Sequence, residues 1–257
     1  MNWQDQYVAF MTIVRKEIKR YLRIWTQTLL PSAITMSLYF VIFGSLIGSR
    51  IGEMGGFTYM QFVVPGLIMM AIVTNSYSNV VSSFFGSKFN HSVEELLVSP
   101  TPNYVILMGY VVGGVTRGLF VAVVVTIVSL FFTDLQVHSY FVVVVIVLMT
   151  STLFALAGFI NAVYANSFDD ISIIPTFVLT PLIYLGGVFY SMDLLPEFWA
   201  NVSKLNPLVY VVNAFRYGVL GVSDVSLVFS LAMIAFFTVA AFMFSMHLLN
   251  SGTRLRQ

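Results

Sequence analysis

Arg117 is the residue that most needs a reason. It stands near the middle of an apolar run, in Gly113-Gly114-Val115-Thr116-Arg117-Gly118-Leu119-Phe120. A guanidinium at the centre of a bilayer costs about 2.5–3.5 kcal/mol on insertion scales, so it faces protein or water. Three roles are open to it. It reaches back to the cytoplasmic side if its span begins later, it pairs with a carboxylate such as Asp169 or Asp170, or it lines a substrate path. A second polar group, Asn75, Ser76, Tyr77, Ser78 and Asn79, interrupts another apolar run, and Thr74, Ser82 and Ser83 extend it. Such side chains either satisfy one another across helices or line a path. The extension favours the path, which makes Asn75, Tyr77, Asn79 and Arg117 the candidate path or intramembrane polar residues.

Soluble chemistry is poorly provided for. There is no G-x-x-x-x-G-K-[ST], so ATP hydrolysis by a P-loop is excluded, and neither H-E-x-x-H nor G-x-S-x-G occurs. His91, His138 and His247 fall near three different segment boundaries, which argues against a metal site built from them. Cysteine is absent, excluding disulfides and thiolate ligands. No catalytic residue, cofactor or nucleic-acid partner is expected.

The elements that must position these residues are membrane spans. The 257 residues are 58% hydrophobic and 9% charged, with mean hydropathy +0.90, against roughly 25% charged in soluble domains. A span needs about 20 apolar residues to cross roughly 30 Å of hydrocarbon. Six stretches qualify or nearly do: 25–47, 62–86, 104–132, 140–164, 171–190 and 227–249. The first begins near Trp25 behind a basic segment, without a short apolar core and cleavage site, and reads as a retained signal anchor. The fold class is therefore all-α, a single polytopic membrane domain over 1–257.

The Lys/Arg bias sets the orientation. With the N-terminus in the cytoplasm, Arg15, Lys16, Lys19, Arg20, Arg23, Lys88, Arg254 and Arg256 are cytoplasmic, and Arg50, Lys204 and Arg216 are outside: eight against three. Six spans return the C-terminus to the cytoplasm. Within 1–24, Tyr7, Phe10, Met11, Val14, Ile18, Tyr21 and Leu22 share a sector of roughly 120°, with the five basic residues on the other side. This is an amphipathic helix of the cytoplasmic interface, drawn to anionic headgroups.

Two further segments lie between spans. In 87–102, a short helix over 92–98 places Val93, Leu96 and Leu97 on one face beside Glu94 and Glu95. Ser92 is the expected N-cap of a capping box with Glu95, and Pro100 and Pro102 end the helix. A simple connector would explain it equally well. The segment 191–217 is aromatic and apolar but broken by Pro196 and Pro207, which suggests a re-entrant helical hairpin on the periplasmic side. Gly109, Gly113, Gly114 and Gly118 form small-xxx-small steps, as do Gly44 and Gly48. They serve packing within the subunit or a homodimer seam.

From end to end the chain resembles the membrane subunits of ABC-2 type exporters, and most nearly the short bacterial permeases of their YadH-like, nodulation and drug-export branch. Glu94-Glu95-Leu96-Leu97-Val98-Ser99-Pro100-Thr101 matches the family's E-x-L-L-x-S-P-x helix. Asn206-Pro207-Leu208 and Arg216 match the signature ahead of the last span. Pro196-Glu197-Phe198-Trp199 departs from Pro-x-x-x-Trp by one residue. Pro181 to Phe189 resembles the fifth-span signature, with Gly186 where Ser is common.

The resemblance implies a permease subunit of the bacterial inner (plasma) membrane, with a homodimer served by two copies of a separate P-loop ATPase subunit. The 87–102 segment would be the coupling helix, with Glu94, Glu95, Leu96, Leu97 and Pro100 at the contact. The hairpin, with Pro196, Trp199, Asn206, Pro207 and Arg216, would cap the path. The substrate would be an amphiphilic, lipid-like, drug or glycan molecule leaving the cytoplasm. The alternatives are a membrane-embedded enzyme acting on a lipid, using Arg117, Asp169, Asp170 and Arg216, or a non-transporting channel or assembly scaffold.

Overall fold

The computed structural model describes residues 1–252, the side chains of Ser45, Ser49 and Asp193 excepted. Arg254 and Arg256, two of the charges assigned to the cytoplasmic side, lie outside the described residues.

Helix α1, Trp3–Arg23, opens with a capping box between Asn2 and Asp5 and ends where Ile24 leaves helical geometry (φ −111°, ψ 35°). The chain then continues through α2 (Trp25–Thr28), α3 (Leu30–Tyr39), a π-helical stretch Phe40–Ile47, and α4 (Gly48–Ile51). A two-stranded antiparallel hairpin follows, β1 (Glu53–Met54) and β2 (Phe57–Thr58). An all-α reading did not anticipate it. Its turn, Gly55-Gly56, has φ of 63° and 82°, the positive pair that two-residue hairpins require.

The bundle is completed by α5 (Tyr59–Phe89), α6 (Ser92–Val98), α7 (Asn103–Ser129) and α8 (Tyr140–Tyr164). Then come α9 (Asp170–Ile174), a π turn Pro175–Leu179 and α10 (Thr180–Tyr184). After a 3-10 turn, Met192–Leu194, the chain forms α11 (Glu197–Ser203), α12 (Pro207–Leu220) and α13 (Leu227–Ser251).

Among the described residues, five helical stretches are long and apolar enough to cross a membrane: Trp25–Gly44, Tyr59–Phe89, Asn103–Ser129, Tyr140–Tyr164 and Leu227–Ser251. The expected fifth span, 171–190, is the exception. Its helix covers only Asp170–Tyr184, about 22 Å at 1.5 Å per residue, short of the roughly 30 Å of hydrocarbon. It stops because the chain turns at Leu185–Gly187, with Gly187 at φ 75°.

Helix α5 is the axis of the bundle. Its apolar window is 83% buried, against 22% for the first stretch and 11% for the last. Val63, Leu67, Met69 and Ile72 on α5 are fully enclosed, as are Phe84, Tyr110 and Phe159 farther along. The glycine steps of α7 are occupied within the chain. A Cβ on Gly109 would strike Ile13 of α1, one on Gly113 would strike Glu17, and one on Gly114 would meet Val80 of α5 and Ala155 of α8. They serve packing inside the subunit. Gly158 of α8 meets backbone, which cannot rotate away: a Cβ there would lie 2.5 Å from the backbone oxygen of Tyr77.

Gly158→Ala is therefore expected to lower the stability of the detergent-solubilised protein by about 1–3 kcal/mol through overpacking. Gly86→Ala, with nothing within 4 Å of the new methyl, should leave it equal or raised. Thermal unfolding of the two variants side by side checks this, and an unchanged midpoint for Gly158→Ala would contradict the close approach.

Candidate functional site

The intramembrane polar residues converge on α5 from three directions. Asn75 accepts from Arg117 Nη2 at 3.0 Å, and its own amide donates to Ser32 Oγ at 3.1 Å and to the Ala71 carbonyl at 2.9 Å. Arg117 Nη2 also reaches the Thr28 carbonyl at 3.4 Å. Arg117 thus ties α7 to α5 and to the start of the first span through neutral oxygens. The pairing with Asp169 or Asp170 is not formed. Asp170 instead accepts the backbone N–H of Asn166 (2.9 Å) and Ser167 (3.2 Å), capping its own turn. Asn75, Tyr77, Asn79 and Arg117 are all buried within the single chain.

One α-turn along, α1 docks through charge. Glu17 is wholly enclosed. Ser83 Oγ donates to its Oε1 at 2.6 Å, and Arg20 Nη2 lies 3.4 Å from its Oε2. Arg20 also donates to the carbonyl and the side-chain oxygen of Asn79, both at 2.9 Å. Lys16 Nζ reaches Ser87 Oγ at 3.4 Å and stands 5.5 Å from the Tyr110 ring centre. Sequence reasoning missed Glu17, although it falls about 20° beyond the Phe10 edge of the apolar stripe. The stripe itself is divided: Val14 and Tyr21 are buried against protein, while Tyr7 and Leu22 are exposed.

Helix α6 stands on the end of α5. Its N-cap is His91 in the left-handed region (φ 58°) with no side-chain cap bond, so the expected Ser92–Glu95 capping box is absent. Ser92 Oγ instead donates back to the Ser87 carbonyl at 3.0 Å, and His91 Nδ1 lies 3.3 Å from Glu94 Oε1. Val93 is buried, and Leu96 and Leu97 are half-buried against the core. The outward surface is Glu95, Val98 (82% exposed) and Pro100. Beneath it lies Lys88, also missed in the sequence. Counted as a cytoplasmic loop charge, it is buried, and its Nζ donates to the carbonyls of Val163 and Ala165 at 2.8 Å each, closing the end of α8. A lysine within a turn of a helix end is the available signal.

At the opposite end of α5, α11 and α12 form a helical pair. Pro196 is the residue before α11, on which Trp199 is half exposed. Asn206 caps α12 by accepting from Leu208 N at 3.0 Å, and donates to the Leu182 carbonyl at 2.6 Å. Pro207 fills the first helical position, where its missing N–H costs nothing. Arg216, counted as an external charge, is fully enclosed. Its guanidinium lies 3.8 Å from the Phe62 ring centre and donates to the Gly187 carbonyl at 2.6 Å and the Phe62 carbonyl at 3.4 Å.

Arg216→Met keeps the bulk and strands the Gly187 carbonyl. The expected loss is about 1–3 kcal/mol, with faster proteolysis over 190–206, read by thermal unfolding and limited digestion.

Compared with known proteins, residues 8–220 match the family model for the ABC-2 type transporter. The chain is 58% identical to the inner membrane transport permease YadH of Escherichia coli (strain K12) over 250 residues, covering 97% of this chain and 98% of that protein. It is 22% identical to Nodulation protein J of Neorhizobium galegae over 253 residues, covering 97% and 93%. It is 19% identical to Nodulation protein J of Rhizobium meliloti (strain 1021) over 242 residues, covering 94% and 92%.

Proposed function

The chain belongs to the ABC-2 type transporter family, and from that premise we propose that it is the membrane permease subunit of an ATP-driven exporter, powered by a separate P-loop ATPase. It is a multi-pass transport permease of the inner membrane. In the proposed arrangement both termini are cytoplasmic, two copies pair, and each copy engages one ATPase through α6. An amphiphilic, lipid-like, drug or glycan substrate leaves along the face between the copies.

The observation that carries this reading is the surface of α6. Val98, at 82% exposure, stands with Glu95 and Pro100 on one outward surface, an apolar contact flanked by an acid that suits a groove on an ATPase. The buried Val93 and the half-buried Leu96 and Leu97 keep the helix on the bundle, and Glu94, Glu95, Val98 and Pro100 meet the ATPase. The first span and the α9–α10 segment present their apolar side chains outward, among them Ile34, Leu38, Ile173 and Phe177. This is the face proposed for the second copy.

A re-entrant course for the hairpin is supported by depth. Gly218 of α12 packs on Val143 near the start of α8, while Pro207 shares a cleft with Leu153, Phe154 and Ala157 near its middle. The α11–α12 turn would then close the path from the outer side. Because Asn75, Asn79 and Arg117 are enclosed and bonded to Ser32, Arg20 and Thr28, their part is to hold α1 and the first span on α5, while Tyr77 is enclosed against α8.

Glu94→Lys with Glu95→Lys should weaken association with the ATPase about tenfold, equivalent to about 1.4 kcal/mol, and lower vanadate-sensitive ATP hydrolysis by the reconstituted complex at limiting ATPase. Membrane insertion should be unaffected. Co-purification in mild detergent measures it. A native complex lacking any ATPase would refute the exporter reading, and an unchanged association in the double variant would refute the role of α6.

A further inference from the structure

Two cavities meet at Leu22, where α1 gives way to the first span. The first, of about 710 Å³, is lined by Lys16, Lys19, Arg20, Leu22 and Arg23. The second, of about 310 Å³, is lined by Leu22, Trp25, Leu29, Leu30 and Ala33 together with Phe120 and Val124 of α7. One is cationic and the other almost purely apolar, and they share a wall.

Their order along the bundle is that of an amphiphile. Lys16 is level with Ser87 of α5, Arg20 with Ser82 and Asn79, and Ser32 with Asn75. Passing from the charged cavity to the apolar one therefore moves about 18 Å along α5, from its α6 end toward the middle of the bundle.

Two of the four cations are also uncompensated, for Arg20 is paired with Glu17 and Lys16 reaches Ser87. Glu17, the acid closest in sequence to these cations, is turned into the protein, with its oxygens taken by Ser83 and Arg20. Lys19 and Arg23 have no ion-pair or hydrogen-bond partner among the described residues. The apolar wall is open, with Leu22, Trp25, Leu30 and Phe120 each roughly half exposed. A basic flank alone does not account for the apolar cleft, which the first span forms jointly with Phe120 and Val124 of α7.

We infer that this elbow is a binding site for an anionic bilayer phospholipid, whose phosphate lies among Lys16, Lys19, Arg20 and Arg23 and one of whose acyl chains lies along Trp25, Leu30 and Phe120. Ammonium and guanidinium donors meet the phosphate oxygens, and their aliphatic stems extend the apolar wall toward the glycerol. The inference rests on the chain being a membrane protein and not on the exporter reading, and its test uses the full-length permease alone, without an ATPase.

Trp25 reports on the site directly. With Trp3 and Trp199 replaced by Phe, phosphatidylglycerol carrying brominated acyl chains should quench Trp25 fluorescence in micelles at about one-tenth the mole fraction needed for the brominated phosphatidylcholine. In the Lys19→Gln, Arg23→Gln variant the two lipids should come within about twofold of each other, while Lys19→Arg with Arg23→Lys retains the preference. The preference of the unsubstituted elbow should also collapse at molar salt, a measurement that needs no variant to fold. Millimolar inorganic phosphate should not displace the lipid. Equal quenching by both lipids, a preference that survives charge removal or molar salt, or displacement by phosphate alone would each overturn the assignment.

Discussion

Hydrocarbon offers no hydrogen bonds, so a charged group carried into it is held by other parts of the same protein. In this chain the meeting place is α5. It supplies Asn75 to Arg117, Asn79 and Ser82 to Arg20, Ser83 to Glu17, and Ser87 to both Lys16 and Tyr110. A helix that spent these groups on a water-filled channel would leave Arg117 and Glu17 as isolated buried charges, which proteins rarely carry. The polarity of α5 is the adhesive of the bundle, and its enclosed apolar side chains are the core.

The same helix is the reference for each element that lies outside the spans. At one end α6 is tied back by Ser92 to the Ser87 carbonyl, and Lys88 beside it closes the end of α8. Alongside it α1 is fastened by Glu17, which accepts from Ser83, and by Arg20, which donates to Asn79. At the other end α12 is held by Arg216 over the Phe62 ring and carbonyl. Helices α1, α6 and α12 of the permease are therefore all positioned by one helix.

Much of this was legible from residue order. Five spans announce themselves because roughly 20 apolar residues have few other uses. The Asn206-Pro207 start of α12 is readable because the cap and the first helical position have opposite needs, an acceptor and a missing donor. Other features were not legible, for reasons particular to them. The length of the Asp170–Tyr184 helix is cut by a turn at Gly187, and hydropathy continues unbroken through Val188 and Phe189. Lys88 and Arg216 look like loop charges because a tally of basic residues takes no account of direction, yet both are folded inward. The Ser92–Glu95 pattern suggested a capping box. The left-handed turn at His91 moved the helix start by one residue, and Ser92 found a carbonyl behind it instead.

The Lys88 cap has a mechanical consequence. By gripping the last carbonyls of α8 from within α5, it welds two long helices at the point where α6 branches off. Where Gly158 lies against the Tyr77 backbone the same two helices meet a second time, so α5 and α8 are held to each other at two levels, and the end of α8 cannot fray without breaking away from α5.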